Sequence, residues 1–281
     1  MPWIIFSGIS IIASSVSALF QKLAMKHEDS DPIVSAIHFQ LLLTIFGFLF
    51  AFLTGFKFPP VSLLPYFLMS GALYACGTVA FFRSIKLIEA SEMTVLTGSG
   101  VLFTILISFI FIHERLTFLQ LIGAALILSA VILINYNRKK FHINAGAGLA
   151  ILGSVLYGTA VVIDTYIVKY YDAISFVALA SFTPGLFIAL WFIKKIPKTI
   201  TSIKYINRNL LIYSFLYTIA GIAFYLALQN GALVSQAGTI SRASIILTVI
   251  LAAFFLGERK HVWKKIVAAI LTTIGVLLVS R

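Results

Sequence analysis

The sequence predicts an all-α membrane protein with ten transmembrane helices arranged as two inverted repeats of five. Three observations carry this. Of 281 residues, 60% are hydrophobic and only 11% are charged, with a mean hydropathy of +1.05; a soluble globule carries about 25% charged residues, so there is too little polar material here to cover one. The apolar residues fall into long runs such as LLLTIFGFLFAFL (Leu41–Leu53), without the alternation a β-barrel strand needs. Third, the chain repeats itself at an offset of 144 residues.

The hydrocarbon layer is about 30 Å thick and a helix rises about 1.5 Å per residue, so a span needs roughly 20 apolar residues. Ten segments qualify: Trp3–Met25, Pro32–Thr54, Leu63–Phe82, Met93–Ile112, Thr117–Tyr136, Gly146–Val168, Ile174–Ile193, Leu210–Gln229, Gln236–Leu256 and Val262–Ser280. The start MPWIIFSGIS has no basic region of the kind that precedes a cleaved signal peptide, so the first span is expected to stay. Cys76 is the single cysteine and lies in an apolar run, which rules out an internal disulfide and a cysteine metal cluster.

The offset superposes Ser91, Thr104, Phe111, Glu114, Arg115, Ala124, Ala125 and Leu133 on Ser235, Thr248, Phe255, Glu258, Arg259, Ala268, Ala269 and Leu277 in one register. A register kept across two spans and a turn divides the chain into repeats over residues 1–140 and 141–281. Each half holds five spans, an odd number, so the second half starts from the opposite side of the bilayer, as in the inverted repeats of secondary transporters. Short turns join the fourth and fifth spans of each half, and Thr117 with Gln120 has the spacing of a capping box for the fifth. Glu114, Arg115, Glu258 and Arg259 have two uses open to them: capping and anchoring these turns at the head groups, or a gate contact that changes as the halves rock.

The stretches AFFRSIKLIEASEMTVLTGSGVLFTILISFIFIHERLTFLQLIGAALILSAVILI and AFYLALQNGALVSQAGTISRASIILTVILAAFFLGERKHVWKKIVAAILTTIGVLLV, with their turns at His113–Arg115 and Gly257–Arg259 and the small-residue-rich helix after each, resemble the EamA-type transporters of the drug/metabolite transporter superfamily. The resemblance covers essentially the whole chain. It implies export or exchange of small metabolites by alternating access, through a central cavity lined by spans one, three, four, six, eight and nine.

The net charge is +12. In a soluble protein that would suggest nucleic acid, but here Lys and Arg crowd into loops beside spans, where they meet anionic lipid. Of the 21 Lys and Arg, Arg242 lies inside a span, and Lys57, Arg115, Lys169 and Arg281 fall on one side. The other sixteen fall on the second side, which the positive-inside rule places in the cytoplasm with both termini outside. A multi-pass protein of the plasma (inner) membrane is expected.

An ionisable group in the hydrocarbon is costly unless paired or wetted, so each is a functional candidate. Arg242 lies about 9 Å and Asp164 about 6 Å in from the same face, counting about 1.5 Å per residue. The guanidinium suits a carboxylate or phosphate, with Asp164 holding or competing for it, although a snorkelling Arg242 or a structural ion pair would use the same residues. His38 and Gln40 enter from the opposite face. His38 is either a helix–helix hydrogen bond or a proton-coupling group. Tyr74, Tyr157, Tyr217 and Tyr225 occupy spans three, six and eight; Tyr157 and Tyr217 fall near mid-span and, with Tyr74, are candidate substrate contacts. Ser7, Ser10, Ser14 and Ser17 form a strip suited either to close helix packing or to lining a cavity.

No nucleophile elbow, zinc-protease helix or phosphate-binding glycine loop is present, so no enzyme activity, cofactor or metal is expected. One intramembrane arginine among tyrosines points to a small neutral or anionic organic solute such as an amino acid. Two other readings stay open: an uncoupled channel-like facilitator, and a non-transporting assembly or sensor protein.

Overall fold

A computed structural model describes residues 2–26, 30–100, 117–137, 140–141, 144–202, 206–232 and 243–279. The helices, in order, are α1 (Pro2–Ala24), α2 (Pro32–Thr54), α3 (Leu64–Leu87), α4 (Ala90–Thr97), α5 (Phe118–Asn135), α6 (Ala145–Tyr170), α7 (Ala173–Trp191), α8 (Ile196–Ser202), α9 (Arg208–Gln229), α10 (Ala243–Phe255) and α11 (Val262–Val279). A two-residue antiparallel pairing of Tyr136–Asn137 with Lys140–Phe141 joins the halves. Six helices, α1, α2, α3, α6, α7 and α9, are long and apolar enough to cross a membrane, and Phe118–Ile134 and Ser244–Phe255 are shorter apolar helices.

Local sequence sets the starts. Asp31 precedes Pro32 and accepts from the Ile33 and Val34 N–H groups at 3.0 and 3.4 Å, and Asn144, Asp172 and Asn207 cap α6, α7 and α9 in the same way, each oxygen serving a donor that has no partner within the helix. The capping box read at Thr117 and Gln120 forms both of its bonds, Thr117 N–H to Gln120 Oε1 (3.0 Å) and Gln120 N–H to Thr117 Oγ1 (3.3 Å). Gly257, at φ +70°, opens the turn between α10 and α11 in a conformation that glycine adopts without strain.

Packing brings the two halves together. The most extensive pairings are α1 with α9, α3 with α6, α5 with α11 and α2 with α7. Exchanging each helix for its counterpart in the other half (α1 with α6, α2 with α7, α3 with α9, α4 with α10, α5 with α11) maps this set onto itself, as a two-fold relation between repeats requires. The α3–α6 contact is close because Gly77 lies under the Tyr157 ring, where an added Cβ would stand 2.5 Å from Cδ2. On α1, Ser7, Ser10 and Ser17 are buried, and Ser10 Oγ donates to the Ala220 carbonyl of α9 at 2.9 Å. Small hydroxyl-bearing residues let these helices approach, one of the two uses expected of the serine strip. Ile4, Ile5, Ile9 and Ile12 face outward from α1, and Ile45, Leu49, Phe52 and Leu53 from α2, an apolar exterior suited to lipid.

The short helix α8 lies between the predicted spans Ile174–Ile193 and Leu210–Gln229. It packs on α2, where its buried Thr199 supplies a carbonyl to His38 Nε2 at 3.0 Å. A carbonyl only accepts, so His38 carries its proton on Nε2. Nearby, Lys195 and Lys198 reach Asp31 at 2.7 and 3.5 Å. Burial alone would raise the Asp31 carboxyl, but the Lys195 ammonium and the Ile33 and Val34 N–H groups hold it below the usual carboxylate range.

Candidate functional site

Three helices each turn one polar face toward a common centre. On α3, Tyr74 and Thr78 are four residues apart; on α6, Tyr157 and Asp164 are seven apart; on α9, Tyr217, Gly221 and Tyr225 follow at intervals of four. At 3.6 residues per turn each set lies along one side of its helix. From α2, Gln40 Nε2 donates to Thr78 Oγ1 at 3.0 Å. Thr78 Oγ1 lies 2.8 Å from the Tyr157 hydroxyl, which also meets that of Tyr217. The Tyr74 and Tyr157 rings pack edge to face with centroids 4.6 Å apart. The Tyr74 and Tyr225 hydroxyls both donate to Asp164 Oδ2, at 2.5 and 2.8 Å.

The result is a polar ladder from Gln40, about 12 Å in from one face, to Asp164, about 9 Å in from the other, counting about 1.5 Å per residue from the helix ends. Two of its acceptors are unfilled among the described residues: Gln40 Oε1 and Asp164 Oδ1 are buried with no hydrogen-bond partner. Ser70 is near Asp164, but its hydroxyl is directed at the Phe67 carbonyl (3.5 Å). A buried acceptor without a donor is costly, so an incoming N–H or O–H group is favoured here. A Cβ added at Gly221, between Tyr217 and Tyr225, would meet nothing within 4 Å.

Polar contacts tie the helices together at both ends of this centre. At the end where α3 meets α4, the Glu258 carboxylate accepts from Ala90 N–H (3.0 Å), Ser91 N–H (3.0 Å) and Ser91 Oγ (2.5 Å). Glu258 therefore caps α4 of the first half from the turn of the second, and it is 7% exposed rather than set among head groups. Buried Lys265 pairs with Glu89, and Lys22 Nζ donates to the Ile85 and Ile88 carbonyls at the end of α3 (2.8 and 2.6 Å). At the other end, the Tyr171 hydroxyl donates to the Lys57 carbonyl, Lys57 N–H to Ser175 Oγ (3.1 Å) and Gln229 Nε2 to the Tyr171 carbonyl (3.1 Å). Burial pushes the Tyr171 phenol up to about 12, which keeps it a donor at neutral pH.

Of the residues singled out from sequence, Tyr74, Tyr157, Tyr217, Asp164 and Gln40 come together. His38 does not; it serves the α2–α8 contact. Arg242, Glu114 and Arg115 lie outside the described residues. Sequence reasoning missed Thr78 and Gly221, and it noted Tyr225 without assigning it a contact. The four-residue spacing of Tyr217, Gly221 and Tyr225 was the available signal. The cap that Glu258 places on α4, across 167 and 168 positions, had none.

These features define a helical membrane protein with a polar centre between its two halves. The model of the EamA-like transporter family matches residues 1–136 and 144–281, and the chain belongs to that family. It is thus a multi-pass membrane protein of a family of small-molecule transporters. No curated protein matches the chain. A solved structure described only as "Crystal structure of protein" is 17% identical and superposes with a TM-score of 0.64 over 98% of this chain and 94% of its own, a likeness of fold.

Proposed function

We propose that this protein is a secondary transporter, an exporter or exchanger, of a small organic metabolite bearing N–H donors, such as an amino acid, working by alternating access. The observation that carries it is the pair of unfilled buried acceptors, Gln40 Oε1 and Asp164 Oδ1, in a tyrosine-lined centre with open space at Gly221. Tyr74, Tyr157 and Tyr217 offer hydroxyls and ring faces to the solute, and Arg242 is the sequence's candidate for its carboxylate. The halves, residues 1–140 and 141–281, are inverted repeats that rock about this centre; the Glu258 contacts and the Tyr171–Lys57 contacts open in turn. The positive-inside bias puts the Glu258 end in the cytoplasm. Polar contacts across both ends favour this over an open channel, and a sensor would have no use for unfilled acceptors in such a centre.

The test is counterflow of a labelled amino-acid mixture in liposomes. Wild type exchanges label when the lumen holds unlabelled solute. Gly221→Leu fills the space and abolishes exchange while the melting temperature stays within about 2 °C, since its Cβ meets nothing within 4 Å. Exchange at the wild-type rate in Gly221→Leu would remove this space from the path.

A further inference from the structure

Asp164 stands out among the polar groups of the centre. It is fully buried in an α6 helix that crosses the membrane, and both donors that reach it, Tyr74 and Tyr225, use the same oxygen, Oδ2. Oδ1 has no partner among the described residues. The titratable groups that face it are the phenols of Tyr74 on α3 and of Tyr225 and Tyr217 on α9; among the described residues no Lys, Arg, His, Asp or Glu does. This arrangement accommodates two charge states without moving. When the carboxylate is ionised, the hydroxyls donate to Oδ2 and Oδ1 is open to a cationic or N–H group. When it is protonated, Oδ2 is the carbonyl oxygen that keeps both hydroxyls, and Oδ1 carries the proton. A neutral acid is the cheaper state in a low-dielectric interior with no cation beside it among the described residues, and an ionised one is favoured when a donor arrives.

We infer that Asp164 is a coupling site at which a proton and the solute's N–H donor take turns, so that the protein exchanges protons for solute. This rests on the transport reading above. In one half-cycle the solute's donor occupies Oδ1; in the other, a proton from water on the second face binds Oδ1 as solute leaves, and returns to the first face when the next solute binds. No bond other than O–H is made or broken. His38, the sequence's candidate for coupling, is held by the Thr199 carbonyl of α8, outside this exchange.

The test has two arms. In pH-dependent infrared difference spectra of purified wild type, a carboxyl C=O band appears on acidification that is missing in Asp164→Asn, whose amide oxygen can still accept both hydroxyls. Asp164→Glu restores a band, and in Tyr225→Phe the band moves to higher frequency because one hydrogen bond to the carbonyl oxygen is gone. Identical spectra for wild type and Asp164→Asn overturn the proposal. In liposomes, wild type accumulates the labelled amino-acid mixture under a pH gradient, Asp164→Glu retains part of that accumulation, and Asp164→Asn, whose amide NH2 stands where the solute's donor would bind, loses it. Gradient-driven accumulation surviving in Asp164→Asn also overturns it. If wild type moves no amino acid, the transport reading fails, and the infrared arm still decides whether Asp164 exchanges a proton.

Discussion

Removing the Glu258 carboxylate tests whether the contact between the two halves is a gate or a fixed cap. Three donors converge on that one group, two of them backbone N–H groups of the first turn of α4, which no helical carbonyl serves. Losing a helix cap costs about 1 kcal/mol, and losing a negative charge from a partly buried helix N-terminus about 1–2 kcal/mol more. Glu258→Ala should therefore weaken the closed state at this end by about 2–3 kcal/mol. If the end opens during transport, water replaces the carboxylate in the open state, and the loss falls on the closed state alone. A shift of 2–3 kcal/mol then changes the closed-to-open ratio by about 30- to 150-fold, at 1.4 kcal/mol for each factor of ten. Glu258→Gln, which keeps an acceptor oxygen but no charge, should fall between. The assay is pulsed electron spin resonance between labels at Lys26 and Lys260, both exposed at this end, in a Cys76→Ala background. A longer inter-label distance should become dominant in Glu258→Ala. An unchanged distance distribution together with a lowered melting temperature would show that Glu258 is a static cap, and the gating argument would be refuted.

Two further outcomes follow from the surface groups. The Asp31 carboxyl is held below its usual range, so it contributes stability that is present above its unfolded value of about 3.9 and is lost as pH falls through the lower folded value; Asp31→Asn should lower the melting temperature at pH 7 but not at about pH 2, and an equal loss at both would contradict the ion-pair account. Single cysteines at Lys57 and Lys198, whose side chains are 69% and 58% exposed, should react oppositely with an impermeant thiol reagent on intact cells, Lys57→Cys labelled and Lys198→Cys protected; the reverse result would invert the orientation, and equal labelling would break the topology.

Much of the architecture was written in local sequence. Composition and run length determined a helical membrane protein, the 144-residue register determined two halves, and individual caps such as Thr117 with Gln120 were legible because their partners are three residues apart. The identity of the polar residues at mid-span was legible too, since a hydroxyl or carboxyl in hydrocarbon needs a reason. Their meeting was not. Helices such as α2 and α9 are apolar nearly all the way round, so the pattern of hydrophobicity does not set which side faces inward; that rotation is decided by close contacts such as Gly77 beneath Tyr157 and Ser10 against Ala220. Only the tertiary structure brought Gln40 and Asp164, from opposite faces, onto one ladder, directed both tyrosines to a single oxygen of Asp164, sent His38 to the surface helix α8, and placed Glu258 on the start of α4. Sequence fixes a residue's depth in the membrane through the 1.5 Å rise, whereas its partners depend on helix azimuth, which is set by packing between chain segments far apart.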